Sequence, residues 1–324
     1  MSILSGFVAN FRRATHARSY AEHILQSEEF SLHRQKRLHE VYSSGRLIAS
    51  IPDCIQRKNT CSGDCLVVGA GPSLKEADVR LLKTLDTFAL NGSIKYMLKT
   101  GIMPTHYVIS DKDAVILNFS QLEVALSRHA HCYLTPKSLY NLYKLNPTLL
   151  SSETLSLIEA IDRKYDRARP TQRRFYQQYK AHEGIHILEK YKHRRGTIGF
   201  NFCQDVGFFT SRTVSIWALQ LACYLGYRRI FLIGMDMGAT GNSHAYAEEN
   251  GIRRNSGRKA ALKQHFSTDH FSPDIEECFR LARQAATVHG FQIINLTPVS
   301  RISENLIPRM TVTEAFPDLC AASL

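Results

Sequence analysis

Short apolar runs alternate with helix-like stretches along most of this chain. The apolar runs are rich in β-branched and aromatic residues, and each ends in a polar or glycine-bearing turn, which is typical of buried strands. They fall at residues 66–68, 87–90, 106–110, 131–134, 229–237 and 291–296. Stretches with helical periodicity lie at residues 75–85, 94–99, 212–225 and 273–289. This alternation predicts an α/β fold, Rossmann-like, with a mostly parallel sheet covered by helices on both faces.

Two stretches interrupt the alternation. Residues 1–60 are predicted to form a mainly helical, basic N-terminal segment, which Pro52 and the polar stretch at 57–64 bring to an end. Residues 145–195 contain a predicted helix at 149–161 and then many basic residues with little apolar periodicity. This second stretch is interpreted as an insertion that forms a lid or acceptor-binding subdomain, or else as a surface loop. The α/β domain is expected to comprise residues 61–144 and 196–310.

Composition narrows the class of protein and of partner. The chain has 324 residues, of which 44% are hydrophobic, and no window approaches 18 consecutive apolar residues. We therefore expect a globular protein in the cytosol or peripherally on the inner face of the membrane, with reduced thiols. The net charge of +12 calls for an anionic partner, either nucleic acid, anionic lipid or a phosphorylated substrate. Nucleic acid is not expected, because the sequence has no zinc-finger spacing, RNA-recognition signature or basic heptad region.

The turn after the first strand, Gly69-Ala70-Gly71-Pro72-Ser73, is a candidate anion site. Glycines allow backbone angles closed to other residues, and Pro72 suits the first turn of a helix, whose N–H groups attract phosphate. The alternative is a plain strand-to-helix turn. Leu74 stands where a dinucleotide fingerprint has its third glycine, and the Gly-Lys-Ser/Thr of a P-loop is absent.

Polar residues recur at successive strand ends, where open parallel sheets bind their ligands. The residues expected to converge on one crevice are Gly71, Ser73, Asn91, Ser93, Asp111, Asp113 and Thr135. Each of them taken singly could instead be a helix cap or a turn residue. Asp111 and Asp113 also resemble the carboxylate pair with which many nucleotide-sugar transferases hold Mg²⁺ or Mn²⁺. Asp111 could alternatively bind a sugar or ribose hydroxyl.

The motifs together resemble the bacterial CMP-sialic-acid-dependent sialyltransferases of the lipooligosaccharide type. The resemblance covers roughly residues 65–300 and rests on Gly69-x-Gly71-Pro72-Ser73-Leu74, Asn91, the block at 225–236, Ser243-His244-Ala245-Tyr246, and His270 before Asp274-Ile275. The glycine-rich opening also occurs in a sister group, the motility accessory factor and hydroxymethylpterin pyrophosphokinase-like proteins.

The resemblance implies a single GT-A-like nucleotide-binding domain and an inverting glycosyltransferase. Its donor would be a CMP-activated sialic acid or a related ulosonic acid such as 3-deoxy-D-manno-octulosonic acid (Kdo), and no metal or other cofactor would be required. The acceptor would be an anionic glycolipid or glycan, such as lipopolysaccharide, which implies peripheral membrane contact; a homo-oligomer is possible. The sister group implies an alternative, a Mg²⁺-dependent diphosphotransferase or flagellin-glycosylation factor. A non-catalytic nucleotide- or lipid-binding protein is the third hypothesis.

The resemblance also assigns roles. His270 matches the family's general base, with His265 and His244 as lesser candidates, and Tyr246 matches a residue that contacts the leaving phosphate. The other leaving-group position is Gly238 here, so the leaving-group contacts are expected to differ or to come from Thr240, Ser243 or the basic insertion. Ala70 and Asp111 stand where the sialyltransferases have asparagine, and donor recognition is expected to differ accordingly.

Overall fold

The computed structural model describes residues 27, 29–166, 170–188, 198–202, 206–210, 213–238 and 271–318. The strands are β1 (Ser31–Gln35), β2 (Leu38–Ser43), β3 (Arg46–Pro52), β4 (Asp64–Val68), β5 (Asp86–Leu90), β6 (His106–Ile109), β7 (His131–Leu134), β8 (Leu155–Leu157), β9 (Ile185–Ile187), β10 (Gly199–Asn201), β11 (Arg229–Ile233) and β12 (Gln292–Asn295). The α-helices are α1 (Val79–Thr84), α2 (Ser93–Lys99), α3 (Lys112–Leu117), α4 (Phe119–Ser127), α5 (Pro136–Leu145), α6 (Gln172–Tyr179), α7 (Val214–Leu225), α8 (Pro273–His289) and α9 (Val312–Ala315).

A seven-stranded sheet organises the fold, in the order β12-β11-β4-β5-β6-β7-β8. Every adjacent pair in it is parallel. The inner strands are buried on both faces, which is why their sequences are continuous apolar runs rather than alternating ones. The predicted Rossmann-like α/β class is confirmed.

Helices cover both faces of this sheet. Successive residues of a strand point to opposite sides, so each inner strand contributes apolar side chains to both layers of helices. On one face Val67 and Leu232 pack with α7 and α8. On the other face Leu66 and Val68 pack with helices α1 to α5. Gly226 and Gly290 end α7 and α8 in the left-handed conformation, as expected for C-terminal caps.

Two predicted helices are wrong. Residues 31–52, assigned to the N-terminal helical segment, form the antiparallel sheet β1-β2-β3. Their buried positions follow a period of two, as in Val41, Ala49 and Ile51, and the charged residues between them obscured that period. Within the predicted helix at 149–161, the chain makes a short 3₁₀ turn and then β8, the edge strand of the main sheet. Residues 1–26 lie outside the described part of the chain.

The described part of the chain contains no helix that is both long enough and apolar enough to cross a membrane. The described residues include six cysteines, of which Cys54, Cys65, Cys132 and Cys278 are buried.

A buried aromatic cluster lies toward the amino ends of β5 to β7. His106 is fully buried, with Nε2 3.0 Å from the Tyr227 hydroxyl and Nδ1 3.3 Å from the Tyr133 hydroxyl. His131 stacks on it at 5.8 Å between ring centroids. Burial, and then the nearby Arg57 guanidinium, lower the pKa of His131 to about 4 and lower the pKa of His106 well below its usual value.

The low histidine pKa values predict acid sensitivity. Both histidines are neutral in the folded protein, whereas an unfolded chain binds protons at about pH 6.5, so folding stability is full above that pH and falls as the pH drops toward 4. The loss attributable to His131 is on the order of 1–3 kcal/mol. Urea unfolding at pH 7.0, 5.5 and 4.5 measures it. His131→Asn should flatten the profile, while His129→Asn, in the exposed preceding turn, should leave it unchanged. Equal slopes for wild type and His131→Asn would contradict the assignment.

Candidate functional site

The candidate active site lies at the carboxyl edge of the sheet, between β4 and β11. From β4 the chain adds β5 to β8 on one side, and then returns to add β11 and β12 on the other side. The loops after β4 and β11 consequently leave neighbouring strands in opposite directions. This reversal of strand order is where open α/β sheets form a ligand crevice.

Hydrogen bonds join the two loops at the point where the strand order reverses. The Gly69 N–H donates to the Ile233 carbonyl at 2.8 Å, and the Gly71 N–H donates to the Gly234 carbonyl at 2.9 Å. A Cβ atom at position 71 would lie 1.8 Å from Asp236 Oδ2, and one at position 69 would lie 2.4 Å from the Gly234 oxygen. The glycines are therefore needed for the close approach of the two loops.

Asp236 also lies in this site, although it is not among the site residues predicted from the sequence. It is 1% exposed, and its carboxylate accepts hydrogen bonds from the Ser73 hydroxyl at 2.6 Å and the Ser73 N–H at 3.2 Å. The N–H groups of Gly69, Gly71 and Ser73 are thus engaged within the protein. A ligand at this loop would meet Pro72 and the remaining surface of the turn rather than an open ring of N–H donors.

Asn91, at the end of β5, has a side-chain oxygen that could accept a hydrogen bond from a ligand. Its backbone has a φ of 44°, its N–H donates to Val108, and its carbonyl accepts from the Tyr107 hydroxyl at 2.8 Å. Its side-chain Oδ1 is shielded from solvent and has no hydrogen-bond partner among the described residues. A buried acceptor without a donor costs free energy, and a ligand hydroxyl or amine could supply that donor.

Three other predicted strand-end residues make local turn or cap contacts in this structure. The Ser93 hydroxyl is buried and accepts from the Leu90 N–H at 2.8 Å. Asp111 caps α3 by accepting from the Asp113 N–H at 3.0 Å, and Thr135 caps α5 by accepting from the Ser138 N–H. Asp111 and Thr135 are thus helix caps and Ser93 is a turn residue, while a ligand role for Ser93 and Asp111 remains a prediction.

Four predicted site residues, Thr240, Ser243, Tyr246 and His270, lie outside the described residues. The described chain stops at Gly238, just beyond the carboxyl end of β11, and resumes at Phe271, just before α8. Since α8 leads back to the amino end of β12, both of these points are on the crevice side of the sheet.

Among the described residues, His39, Asp53 and Glu159 form a group of three that lie close enough to share a metal ion. A metal role for the pair Asp111 and Asp113 stays a prediction. Cations already occupy the cluster of His39, Asp53 and Glu159. Arg34 donates to Glu159 at 2.5 Å, and the Lys164 ammonium lies 3.4 Å from the same carboxylate. The cluster therefore does not fit a metal ion, and it serves instead to attach β1 to the chain after β8.

Removing Arg34 should destabilise the protein. Glu159 is 3% exposed, so Arg34→Ala leaves a buried carboxylate that keeps only contacts such as those with the Lys164 ammonium and the Tyr165 N–H. Arg34 is itself 20% exposed, so solvent screens part of its interaction with Glu159. We therefore expect the free energy of unfolding to fall by about 2–3 kcal/mol, less than for a fully buried pair. Arg80→Ala, which removes the more exposed Arg80–Asp78 pair, is the control and should cost about 0–1 kcal/mol. Equal losses in urea titrations of the two variants would contradict this account.

A parallel α/β sheet whose crevice lies at the reversal of strand order is an architecture shared by many nucleotide-sugar enzymes. Residues 50–313 match the model of the WaaZ family, described as 3-deoxy-D-manno-octulosonic acid transferase WaaZ. The chain belongs to this family and is a glycosyltransferase of lipopolysaccharide biosynthesis.

Two curated relatives agree with the family model. One, from Salmonella typhimurium strain LT2, is named "Probable 3-deoxy-manno-octulosonic acid transferase" and is 24% identical over 78% of this chain and 88% of its own length. A protein of the same name from Escherichia coli strain K12 is also 24% identical, over 78% of this chain and 83% of its own. The predicted glycosyltransferase class is confirmed, and the family that matches is that of the Kdo transferases.

A solved structure is also similar. "Structure of MAf glycosyltransferase from Magnetospirillum magneticum AMB-1" aligns over 82% of this chain with 13% identity and a TM-score of 0.40. This chain spans 37% of that protein's length.

Proposed function

We propose that this protein transfers Kdo from CMP-Kdo to a lipopolysaccharide acceptor with inversion at the anomeric carbon. The observation that carries the proposal is the family match over residues 50–313, a span that includes the whole parallel sheet and all of its strand-end loops. The positive net charge of the chain supports it further, since both the donor and the lipopolysaccharide acceptor are anionic.

In the proposed reaction, His270 takes the proton from an acceptor hydroxyl as that oxygen bonds to the anomeric carbon. The bond from this carbon to the phosphate oxygen breaks, and CMP departs with the electron pair. Position 270 immediately precedes Phe271, at the crevice side of the sheet, and a histidine titrates in the range suited to this step.

The donor would lie along the loops after β4, β5 and β11. Asn91 Oδ1 would accept a hydrogen bond from the donor, which would satisfy the buried acceptor. Hydroxyl groups of Thr240, Ser243 and Tyr246 would donate to the departing phosphate. Gly71 and Ser73 would hold the loop in place, and no metal would be required.

A donor-selectivity assay tests the proposal. Purified full-length protein is incubated with CMP-Kdo, prepared immediately beforehand and separated from Mg²⁺, and a truncated lipopolysaccharide acceptor, with and without EDTA. We expect CMP release and a gain of one Kdo residue by mass spectrometry in both conditions. CMP-sialic acid, UDP-glucose and ATP with Mg²⁺ are the comparison donors. Transfer of sialic acid without Kdo, or AMP formation from ATP, would contradict the proposal.

A further inference from the structure

Among the described residues, two large exposed apolar side chains are consecutive in the sequence. The large hydrophobic residues exposed in the described ranges are Leu38, Leu47, Ile116, Leu117, Val124, Leu145, Val288 and Val299. Single exposed residues are ordinary on a protein surface. Ile116 and Leu117 are consecutive, with 52% and 48% of their surface exposed, on a helix whose Ala114 and Val115 are buried. These two residues need a separate explanation.

The pair ends α3, and α3 begins at the candidate site. Asp111, which caps this helix, is two residues beyond the end of β6 at the carboxyl edge of the sheet. The helix has six residues, a length of about 9 Å, so Ile116 and Leu117 lie beside the crevice rather than at the opposite end of the fold.

Lysines border the pair. The Lys95 ammonium donates to the Leu117 carbonyl at 3.0 Å, and Lys112 is 57% exposed one helical turn before Ile116. Asp113 lies 3.8 Å from Lys112 and offsets part of its charge, while the whole chain has 41 basic against 29 acidic side chains. An apolar pair bordered by lysines on a basic protein is complementary to an anionic bilayer, where the apolar groups enter the interface and the ammonium groups meet lipid phosphate.

We infer that Lys95, Lys112, Ile116 and Leu117, here named the α3 patch, dock the enzyme on an anionic phospholipid bilayer beside its crevice. This inference rests on the proposed function, because an acceptor anchored in the membrane has to reach the crevice from the bilayer surface. Docking through α3 would set the open edge of the sheet against that surface.

Vesicle co-sedimentation of the full-length protein tests the inference without any turnover. The vesicles contain phosphatidylethanolamine with about a third phosphatidylglycerol. The double variant Ile116→Glu/Leu117→Glu is expected to partition about tenfold or more weakly than wild type, because it replaces two apolar contacts with like charges. Val288→Glu alters the most exposed of these valines, on α8, and should partition as wild type does. Circular dichroism confirms that each variant is folded.

An activity comparison links the patch to the acceptor. The double variant should lose turnover on acceptor embedded in vesicles and keep it on a soluble, deacylated acceptor. Absence of vesicle binding by wild type would overturn the inference, whatever the donor assay gives. Unchanged binding by the double variant would also overturn it and would move the contact to another part of the chain, such as residues 1–26. A change only in oligomeric state would assign the pair to a contact between two copies.

Discussion

Replacing His270 with alanine is expected to lower kcat by about 10²–10⁴-fold, the usual contribution of a positioned general base. In wild type, activity should fall as the pH drops below about 6.5, since a protonated imidazole cannot accept the hydroxyl proton. The alanine variant should lack this acid limb. Initial rates of CMP release across pH 5.5–8.5, at saturating donor and acceptor, measure both effects.

The matched controls are His265→Ala and His244→Ala, which replace the two other histidines predicted from the same stretch. We expect both to keep kcat within about threefold of wild type, because neither is assigned the proton transfer. Isothermal titration with CMP separates chemistry from binding, and His270→Ala should bind CMP as wild type does. A variant at 265 or 244 that alone abolishes the acid limb would reassign the base.

The sheet could be predicted because strands that are buried on both faces have continuously apolar sequences. Runs such as 66–68 and 229–233 are continuously apolar, and each is followed by a glycine-bearing turn. The carboxyl-edge location of Asn91 and Asp111 followed from the same alternation of strands and helices, because parallel strands end at one edge.

The errors came from strands without that signature. In β1 to β3 one face carries charged and polar residues such as Arg34 and Glu40, so the apolar positions are sparse and also fit a basic helix. Strand β8 has only three residues and follows a 3₁₀ turn, so Leu155 and Leu157 could equally belong to a helix face. Tertiary pairing with β7 decides the outcome, and no local pattern encodes it.

The role of Asp236 could not be predicted either. Ser73 and Asp236 are 163 positions apart, and only the pairing of β4 with β11 brings them to 2.6 Å. The signal that could have found this contact is the glycine at position 71. Pro72 alone accounts for the turn, whereas a second glycine two residues after Gly69 indicates a close neighbour on the facing loop.

Replacing Gly71 with alanine is therefore expected to lower the free energy of unfolding by roughly 3 kcal/mol or more and to reduce donor binding. The backbone at position 71 has φ −64° and ψ 156°, which alanine adopts freely, so the cost is purely steric. The new methyl group would lie 1.8 Å from Asp236 Oδ2 and 2.7 Å from the Gly234 carbonyl, and the two loops would have to separate. Urea unfolding and isothermal titration with CMP measure the two losses.

Gly45→Ala is the matched control, because position 45 has a φ of +77° and nothing within 4 Å of the added methyl group. It should cost about 1–2 kcal/mol through backbone strain alone and leave CMP binding unchanged. The double variant Gly71→Ala/Asp236→Ala should lose less free energy of unfolding than the sum of the two single variants. Asp236→Ala removes the carboxylate with which the new methyl group at position 71 collides. If the two costs simply add, the clash with Asp236 is not what requires glycine, and the 2.7 Å approach to the Gly234 carbonyl becomes the better reason for a glycine at this position.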